Sequence, residues 1–200
     1  MKKEYNLSIV GSKTEKEWMD ELNKLNQAFF VHEITLEDQE RFLKEGFYCG
    51  DYHSESLYFS RAETFRDSKL GKTKCFLVES LSLTEIVCGF CIKACELDGD
   101  IFVEIQHLAK ECKYENLVKL LGHKHYGKSV LERFAIPLAK LYCRELRGTL
   151  IFARVPTKLV PHLKSPIFKV ASKGLSSKLS EMLELHEDEN QGTFMICSPF

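Results

Sequence analysis

No apolar run in the 200-residue sequence approaches the roughly 20 residues that a membrane-spanning helix needs. The first ten residues, MKKEYNLSIV, carry two lysines but no long apolar segment behind them, so no secretory signal is expected. Internal repeats, Pro- or Ser-rich linkers and low-complexity tracts are also missing, so nothing marks an internal boundary and one domain over residues 1–200 is the economical expectation. An excess of one charge is lacking too: the formal net charge is −1, which excludes the global basic field behind avid, sequence-independent nucleic-acid binding and leaves only a local basic patch open. These absences together point to a cytoplasmic protein with no membrane partner.

The composition that remains, 44% hydrophobic and 28% charged, is enough to bury a sizeable core. Six of the eight cysteines, Cys75, Cys88, Cys91, Cys95, Cys143 and Cys197, sit inside apolar stretches, where a reduced intracellular protein uses cysteine as a small hydrophobe. Cys88 and Cys91 form a C-x-x-C, yet side chains three apart on a strand face opposite sides, and no second C-x-x-C or H-x3-H pair completes four ligands. His123 and His125 with His107 or Cys112 make no better case, so no metal site is expected.

Periodicity supplies the elements. Tyr5 to Val10 reads as a short first strand. Trp18, Leu22, Leu25 and Phe29 recur at helical spacing in Thr14 to Phe30, and Thr14 precedes Glu17 by three residues as in a capping box. A second helix is expected from Thr35, with Asp38 three residues on, and a third from Ser54 to Lys69, before a turn at Gly71. The helical N-terminal part thus covers about residues 1–70, and a core sheet is expected over 71–200. The sheet starts with KCFLVES (74–80), EIVCGFCIKACEL (85–97) and DIFVEIQHLAK (100–110), β-rich segments separated by turns at Ser82 to Thr84 and Asp98-Gly99-Asp100. A long helix follows from Gly127 to about Leu146, with Val130, Leu131, Phe134, Leu138, Leu141 and Tyr142 on one face and a kink expected at Pro137. Strands at Thr149 to Val155, Ile167 to Ala171 and Thr193 to Ser198, and a helix from Ser176 to about His186, complete an α+β (mixed α/β) layout with a mostly antiparallel sheet flanked by helices.

One short stretch fits two anion-binding patterns. GHKHYGKS, from Gly122, is the P-loop string G-x-x-x-x-G-K-S; from Lys124, K-H-Y-G-K-S is close to the [R/Q]-x-x-G-x-[G/A] pyrophosphate loop of acyl-CoA enzymes. Both rest on N–H groups at a helix N-terminus aimed at an anion. A P-loop enzyme also needs a parallel sheet and a later strand ending in an acid for magnesium. Here the next apolar strand, TLIFARV, ends at Val155 and Pro156, and His123, Lys124, His125 and Tyr126 are bulky for a tight phosphate loop.

EIVCGFCIKA, FVEIQHLAK with the K-H-Y-G-K-S loop and the helix SVLERFAIPLAKLYCREL, and then GTLIFARV, resemble in order and spacing the core motifs of the GNAT superfamily of acyl-CoA-dependent N-acyltransferases, over roughly 125 residues from KCFLVES onward. The resemblance implies transfer of an acetyl group from acetyl-CoA, as co-substrate, to an amine that attacks the thioester directly. It implies that Lys124, His125, Tyr126, Gly127, Lys128, Ser129 and Val130 hold the pyrophosphate, with Lys124 in a slot usually occupied by Arg or Gln. Leu108, Ala109 and Lys110 would meet the pantetheine arm through their backbone. Glu104 would be the general base acting through water; its bland alternative is a surface acid on an alternating strand.

Two departures accompany the resemblance. The 13 residues 111–123, ECKYENLVKLLGH, stand where the family has a short link. The family's frequent general-acid tyrosine has no counterpart in PTKLVPHLKSP, where His162 is either the titratable substitute or an ordinary surface residue; without an acid, water protonates the thiolate or the protein binds CoA without turnover. A non-catalytic CoA- or macromolecule-binding protein and a P-loop nucleotide binder therefore remain the alternatives. FYCGDYHSESLYFSRAETF (47–65) loosely resembles the segment ahead of the core strands in toxin-like members that acetylate aminoacyl-tRNA, or else is a turn and core-facing helix. The acidic helix with Glu181, Glu184, Glu187, Asp188 and Glu189 reads as a solvated face. The acceptor, a small amine, a protein or an aminoacyl-tRNA, and the oligomeric state are left open.

Overall fold

Thr35 starts the second helix as its spacing from Asp38 demands. Its backbone amide and its hydroxyl each donate to Asp38 Oδ2 at 2.7 Å, and the Asp38 amide returns to Thr35 Oγ1 at 3.3 Å. The protein is represented by a computed structural model that describes residues 3–4, 12–25, 29–45, 73–80, 86–110, 131–162, 167–185 and 192–200. Over these residues the helices are α1 (Ser12–Leu25), α2 (Leu36–Glu45), α3 (Ile136–Glu145) and α4 (Lys173–Met182). The strands are β1 (Lys3–Glu4), β2 (Phe29–Glu33), β3 (Thr73–Ser80), β4 (Ile86–Leu97), β5 (Asp100–Lys110), β6 (Leu150–Pro156), β7 (Lys169–Val170) and β8 (Gly192–Cys197). Among the described residues no helix is long and apolar enough to cross a membrane.

All eight strands belong to one sheet, in the order β2-β3-β4-β5-β6-β8-β7, with β1 pairing to Cys95 and Glu96 of β4 beyond the point where β3 stops. Every ladder is antiparallel except that of β5 with β6, which runs parallel. A parallel pair needs a long crossover, and the crossover from β5 to β6 contains α3. Between β4 and β5 the chain reverses through Asp98-Gly99, both at positive φ (55° and 84°), the geometry of a two-residue type I′ hairpin that Asp-Gly favours.

Alternation along the strands makes two cores. On one face Phe29, Val31, Phe76, Phe90, Ile92 and Val103 pack with Phe134, Leu138 and Tyr142 of the α3 region. On the other, Cys95, Phe102, Phe152 and Phe194 pack with Leu179 and Met182 of α4. The central strand β5 contributes to both, as the period of two requires.

Several expectations change. The α1 periodicity stops at Leu25, and Phe29 opens β2 instead of closing the helix; it is buried, and its ring meets Phe134 edge-on with centroids 6.3 Å apart. Helix α1 begins at Ser12, so Thr14 and Glu17 both lie inside it. Next to Pro137, where a kink is expected, the helix is irregular in the turn that precedes it. The chain from Leu131 to Ala135 widens into a π turn and passes into α3 through Ala135, which keeps helical angles. A proline lacks the N–H for the i−4 carbonyl and its ring crowds that carbonyl; widening the preceding turn relieves the clash without ending the helix. The strand expected over Ile167 to Ala171 narrows to Lys169–Val170, and the last helix begins at Lys173, capped by Ser172. The strand expected over Tyr5 to Val10 and the helix over Ser54 to Lys69 lie outside the described residues.

A buried polar link ties α1 to α3 and the sheet. Tyr142 donates its hydroxyl to Glu15 Oε2 at 2.6 Å, and Lys74 Nζ lies 3.7 Å from the same oxygen and 2.9 Å from Glu33 Oε2. Burial, then the Glu15 charge, pushes the phenol's pKa far above its ordinary value, so it stays protonated and donates. Tyr142→Phe should lower stability by about 1–3 kcal/mol, because Glu15 keeps its burial and loses its short donor. The midpoint of urea unfolding should fall at unchanged slope; an unchanged midpoint would mean that the link holds nothing together. Gly148 follows α3 where the chain turns into β6, and a Cβ there would stand 2.6 Å from Cys143 Sγ and 3.2 Å from the carbonyl oxygens of Cys143 and Ile101. Gly148→Ala should therefore cost about 1–3 kcal/mol by overpacking, read in the same titration.

Candidate functional site

The site is built on the inability of β5 to stay bonded to both neighbours. The parallel ladder with β6 pairs Phe102 with Leu150, Val103 with Ile151, Glu104 with Phe152 and Ile105 with Ala153, and there it ends among the described residues. Strand β5 nevertheless runs on to Lys110 along β4, and β6 runs on to Pro156 along β8. Just past the end of the shared ladder the β4–β5 register slips. Gly89 opposes Ala109 and Cys91 opposes Gln106, so Phe90 alone faces both His107 and Leu108. One extra residue on β5 is a β-bulge, which bends and twists the strand that carries it. The strands therefore diverge where backbone N–H and C=O groups of 106–110 can meet an extended ligand.

Glu104 sits in the last turn of the pleat before the divergence. It is 5% exposed, which corrects the view of it as a surface acid on an alternating strand. The register places Lys93 of β4 on one side of it and Phe152 of β6 on the other. Gln106 Nε2, two residues on and on the same face, donates to Glu104 Oε2 at 2.6 Å. A buried carboxylate needs such donors, and a carboxylate beside a strand divergence is placed where it could accept a proton from a ligand.

The other expected site residues distribute as follows. Ala109 and Lys110 are ladder-paired to Gly89 and Cys88 of β4, and Leu108 lies in the bulge, so all three are on the diverging part of β5. His162 ends the 3-10 turn Thr157–His162 that follows β6. The loop of Lys124, His125, Tyr126, Gly127, Lys128, Ser129 and Val130 lies outside the described residues, as do 111–123 and 47–65. Leu131–Ala135 forms a helical turn continuous with α3. Of the P-loop requirements, the parallel sheet is not met: β5 has an antiparallel neighbour in β4, and β6 another in β8. Strand β6 ends in Arg154, Val155 and Pro156 without a carboxylate.

Two clusters were missed by reading along the chain. His32, Asp38 and Glu79 bring ligand atoms within 4.8 Å of one another, the spacing a metal ion would use. Arg41 already supplies positive charge there, with its guanidinium 2.5 Å from Glu79 Oε1 and 3.7 Å from Asp38 Oδ1. The second cluster is a thiol pair: Cys75 of β3 and Cys91 of β4 are register partners with sulfurs 2.9 Å apart. Cys88 packs in the opposite core, as the strand reading of C-x-x-C requires. An open cleft of about 460 Å³ lies between α4 and β8, lined by Ser176, Ser177, Ser180, Gly192, Thr193 and Phe194.

No family model matches the sequence, and no curated protein matches it. Solved structures similar in shape include an acetyltransferase from Streptococcus agalactiae, with a TM-score of 0.44 and 13% identity over 86% of this chain and 99% of that one. A chimera of the spermidine N-acetyltransferase of Vibrio cholerae gives 0.46 and 13% over 86% and 96%. The glucosamine-6-phosphate N-acetyltransferase of Arabidopsis thaliana gives 0.42 and 10% over 67% and 86%.

Proposed function

We propose that the chain, as one domain over residues 1–200, is an acyl-CoA-dependent N-acyltransferase that transfers an acetyl group from acetyl-CoA to an amine by direct attack. The observation that carries this reading is the divergence of β5 from β6 after Ile105, with a bulge on β5 and a buried carboxylate beside it. A pantetheine arm is an extended chain with amides of its own, and it can join a strand edge through main-chain hydrogen bonds. The segment 106–110 offers that edge, and one of its N–H groups is suited to polarise a thioester carbonyl.

In this reading acetyl-CoA supplies the electrophilic carbonyl carbon, and the chain supplies position, polarisation and proton transfer. Leu108, Ala109 and Lys110 align the arm. The N–H groups from Lys124 to Val130, at the entry to the long helix, hold the pyrophosphate, and Gly127 lets the backbone come close. Glu104, oriented by Gln106, takes the amine's proton through water. His162 is the side chain suited to return a proton to the leaving thiolate. The acceptor is an amine of a small molecule, a protein or a charged tRNA, and no metal enters the scheme.

Calorimetric titration should show acetyl-CoA binding in the micromolar range, and Gly127→Asp should abolish it by facing a carboxylate to the pyrophosphate. Undiminished affinity in that variant would displace the loop assignment, and absence of binding in the unvaried protein would end the proposal. Glu104→Gln should leave the affinity for acetyl-CoA unchanged and slow thiol release by about 10²–10⁴-fold with a responsive amine. Equal rates in the two proteins would remove Glu104 from the mechanism, and binding without thiol release across polyamines, aminoglycosides, peptides and charged tRNA would identify a non-catalytic CoA binder.

A further inference from the structure

Four of the six described cysteines are disposed as packing groups. Cys88 lies wholly buried in the α3-side core, and burial pushes its thiol well above its ordinary pKa. Cys143 and Cys197 lie in the same core, and their thiols point at the backbone carbonyls of Leu150 (3.8 Å) and Ser198 (3.4 Å). Burial raises both pKa values, that of Cys143 to about 11. Cys95 belongs to the core under α4.

Cys75 and Cys91 differ from these in having each other. They are directly opposed across the β3–β4 ladder, both are 0% exposed, and their sulfurs are 2.9 Å apart. Non-bonded heavy atoms of carbon size rest about 3.5–4.0 Å apart, whereas a disulfide bond is about 2.05 Å long. The sulfurs are therefore less than about an ångström from bonding distance. Directly opposed residues hold their Cβ atoms about 4.5–5.5 Å apart, and a disulfide needs about 3.5–4.5 Å, so closure asks for a small approach of the two strands together with side-chain rotation. On either side the ladder continues, Thr73 with Lys93 and Leu77 with Gly89, so the pair sits in a regular stretch of sheet.

We propose that Cys75 and Cys91 are a modification site, a vicinal thiol pair that a peroxide converts to a cross-strand disulfide and a thiol reductant restores. With hydrogen peroxide the chemistry balances in two steps. One thiolate attacks a peroxide oxygen, the O–O bond breaks, and a sulfenic acid and hydroxide form. The second thiol then displaces the sulfenic oxygen as water, the S–S bond forms, and the hydroxide takes up the released proton. Two thiols lose two electrons and two protons in all, and the peroxide becomes two waters. The neighbouring thiol lies in place to intercept the sulfenic acid before it oxidises further. Burial of both sulfurs makes the reaction one of sustained exposure, when the hairpin opens enough to admit a small oxidant. The staple joins β3 to β4 in the row that continues to Gln106, two rows from Glu104, and its formation does not depend on acyl transfer.

The test is peptide mapping of the full-length protein after treatment with hydrogen peroxide and blocking of residual thiols by alkylation. The expected product is a mass lower by two hydrogens, carried by a linked peptide pair containing Cys75 and Cys91 and reversed by dithiothreitol. Cys75→Ser should shift Cys91 to sulfinic and sulfonic forms, because no partner thiol is left to intercept the sulfenic acid. Three results in the unvaried protein would each overturn the proposal: Cys75 and Cys91 alkylated as free thiols on unfolding after peroxide, sulfinic or sulfonic acid at either one, or a linkage of either to another cysteine. Because those readings come from the unvaried chain, the test stands even where the serine variant fails to fold.

Discussion

Strand β5 is the member of the sheet on which the others depend, and it answers two incompatible demands. Its antiparallel partner β4 asks for a straight ladder after the Asp98-Gly99 turn, and its parallel partner β6 arrives through a long crossover and shares only four register positions with it. A strand with full partners on both sides would have no hydrogen-bonding capacity left for a ligand. The bulge opposite Phe90 resolves the conflict by turning the second half of β5 away from β6 while its bonds to β4 persist. The cost of an interrupted ladder is met by an apolar core on each face of the sheet.

What keeps the diverging strands in place is packing from the helical side. Helix α3 rests on the sheet through Leu138 and Tyr142, and the π turn ahead of it brings Phe134 against Phe29. The link from Tyr142 through Glu15 to Lys74 then fastens α1 to the same face. On the other side Lys178 of α4 contacts Asp100 at 3.1 Å and lies over the Phe102 ring, fixing the end of β5 where the parallel ladder begins. The half of β5 that diverges is thus preceded by a half held from both faces.

The strands of the central hairpins were legible to within one residue because their apolar, β-branched segments are long and their turns are marked by polar and glycine residues. Strand β2 was not, for a physical reason. Five residues give little room for alternation, and Phe29 falls at a helical interval from Leu22 and Leu25 by coincidence, so the local pattern continued past the true helix end. The burial of Glu104 was also hidden, since alternation reads Phe102 and Glu104 as sharing a face but does not say that this face is covered at Glu104. The thiol pair was closer to hand. Partners from Thr73 with Lys93 to Val78 with Cys88 have numbers that sum to one constant, which brings Cys75 opposite Cys91; the C-x-x-C spacing runs along one strand and carries no information about the neighbour across it.

The same contrast between along-chain and cross-chain information bears on the double pattern in GHKHYGKS. The string itself specifies only a glycine-bearing turn before a helix, a device equally suited to nucleotide and to CoA phosphates. What separates the two chemistries is the hydrogen bonding of the strand that leads into the turn. In a P-loop protein that strand is enclosed by parallel neighbours, and only its tip faces the ligand. Strand β5 has one antiparallel neighbour along its full length and, among the described residues, one parallel neighbour for four residues, so under the proposed function its flank as well as its tip would face the ligand. A flank of backbone donors and acceptors selects an extended molecule that carries its own amides, and a compact nucleotide triphosphate has none to return. Under the proposed function, sheet topology thus supplies a preference that the glycine motif leaves open.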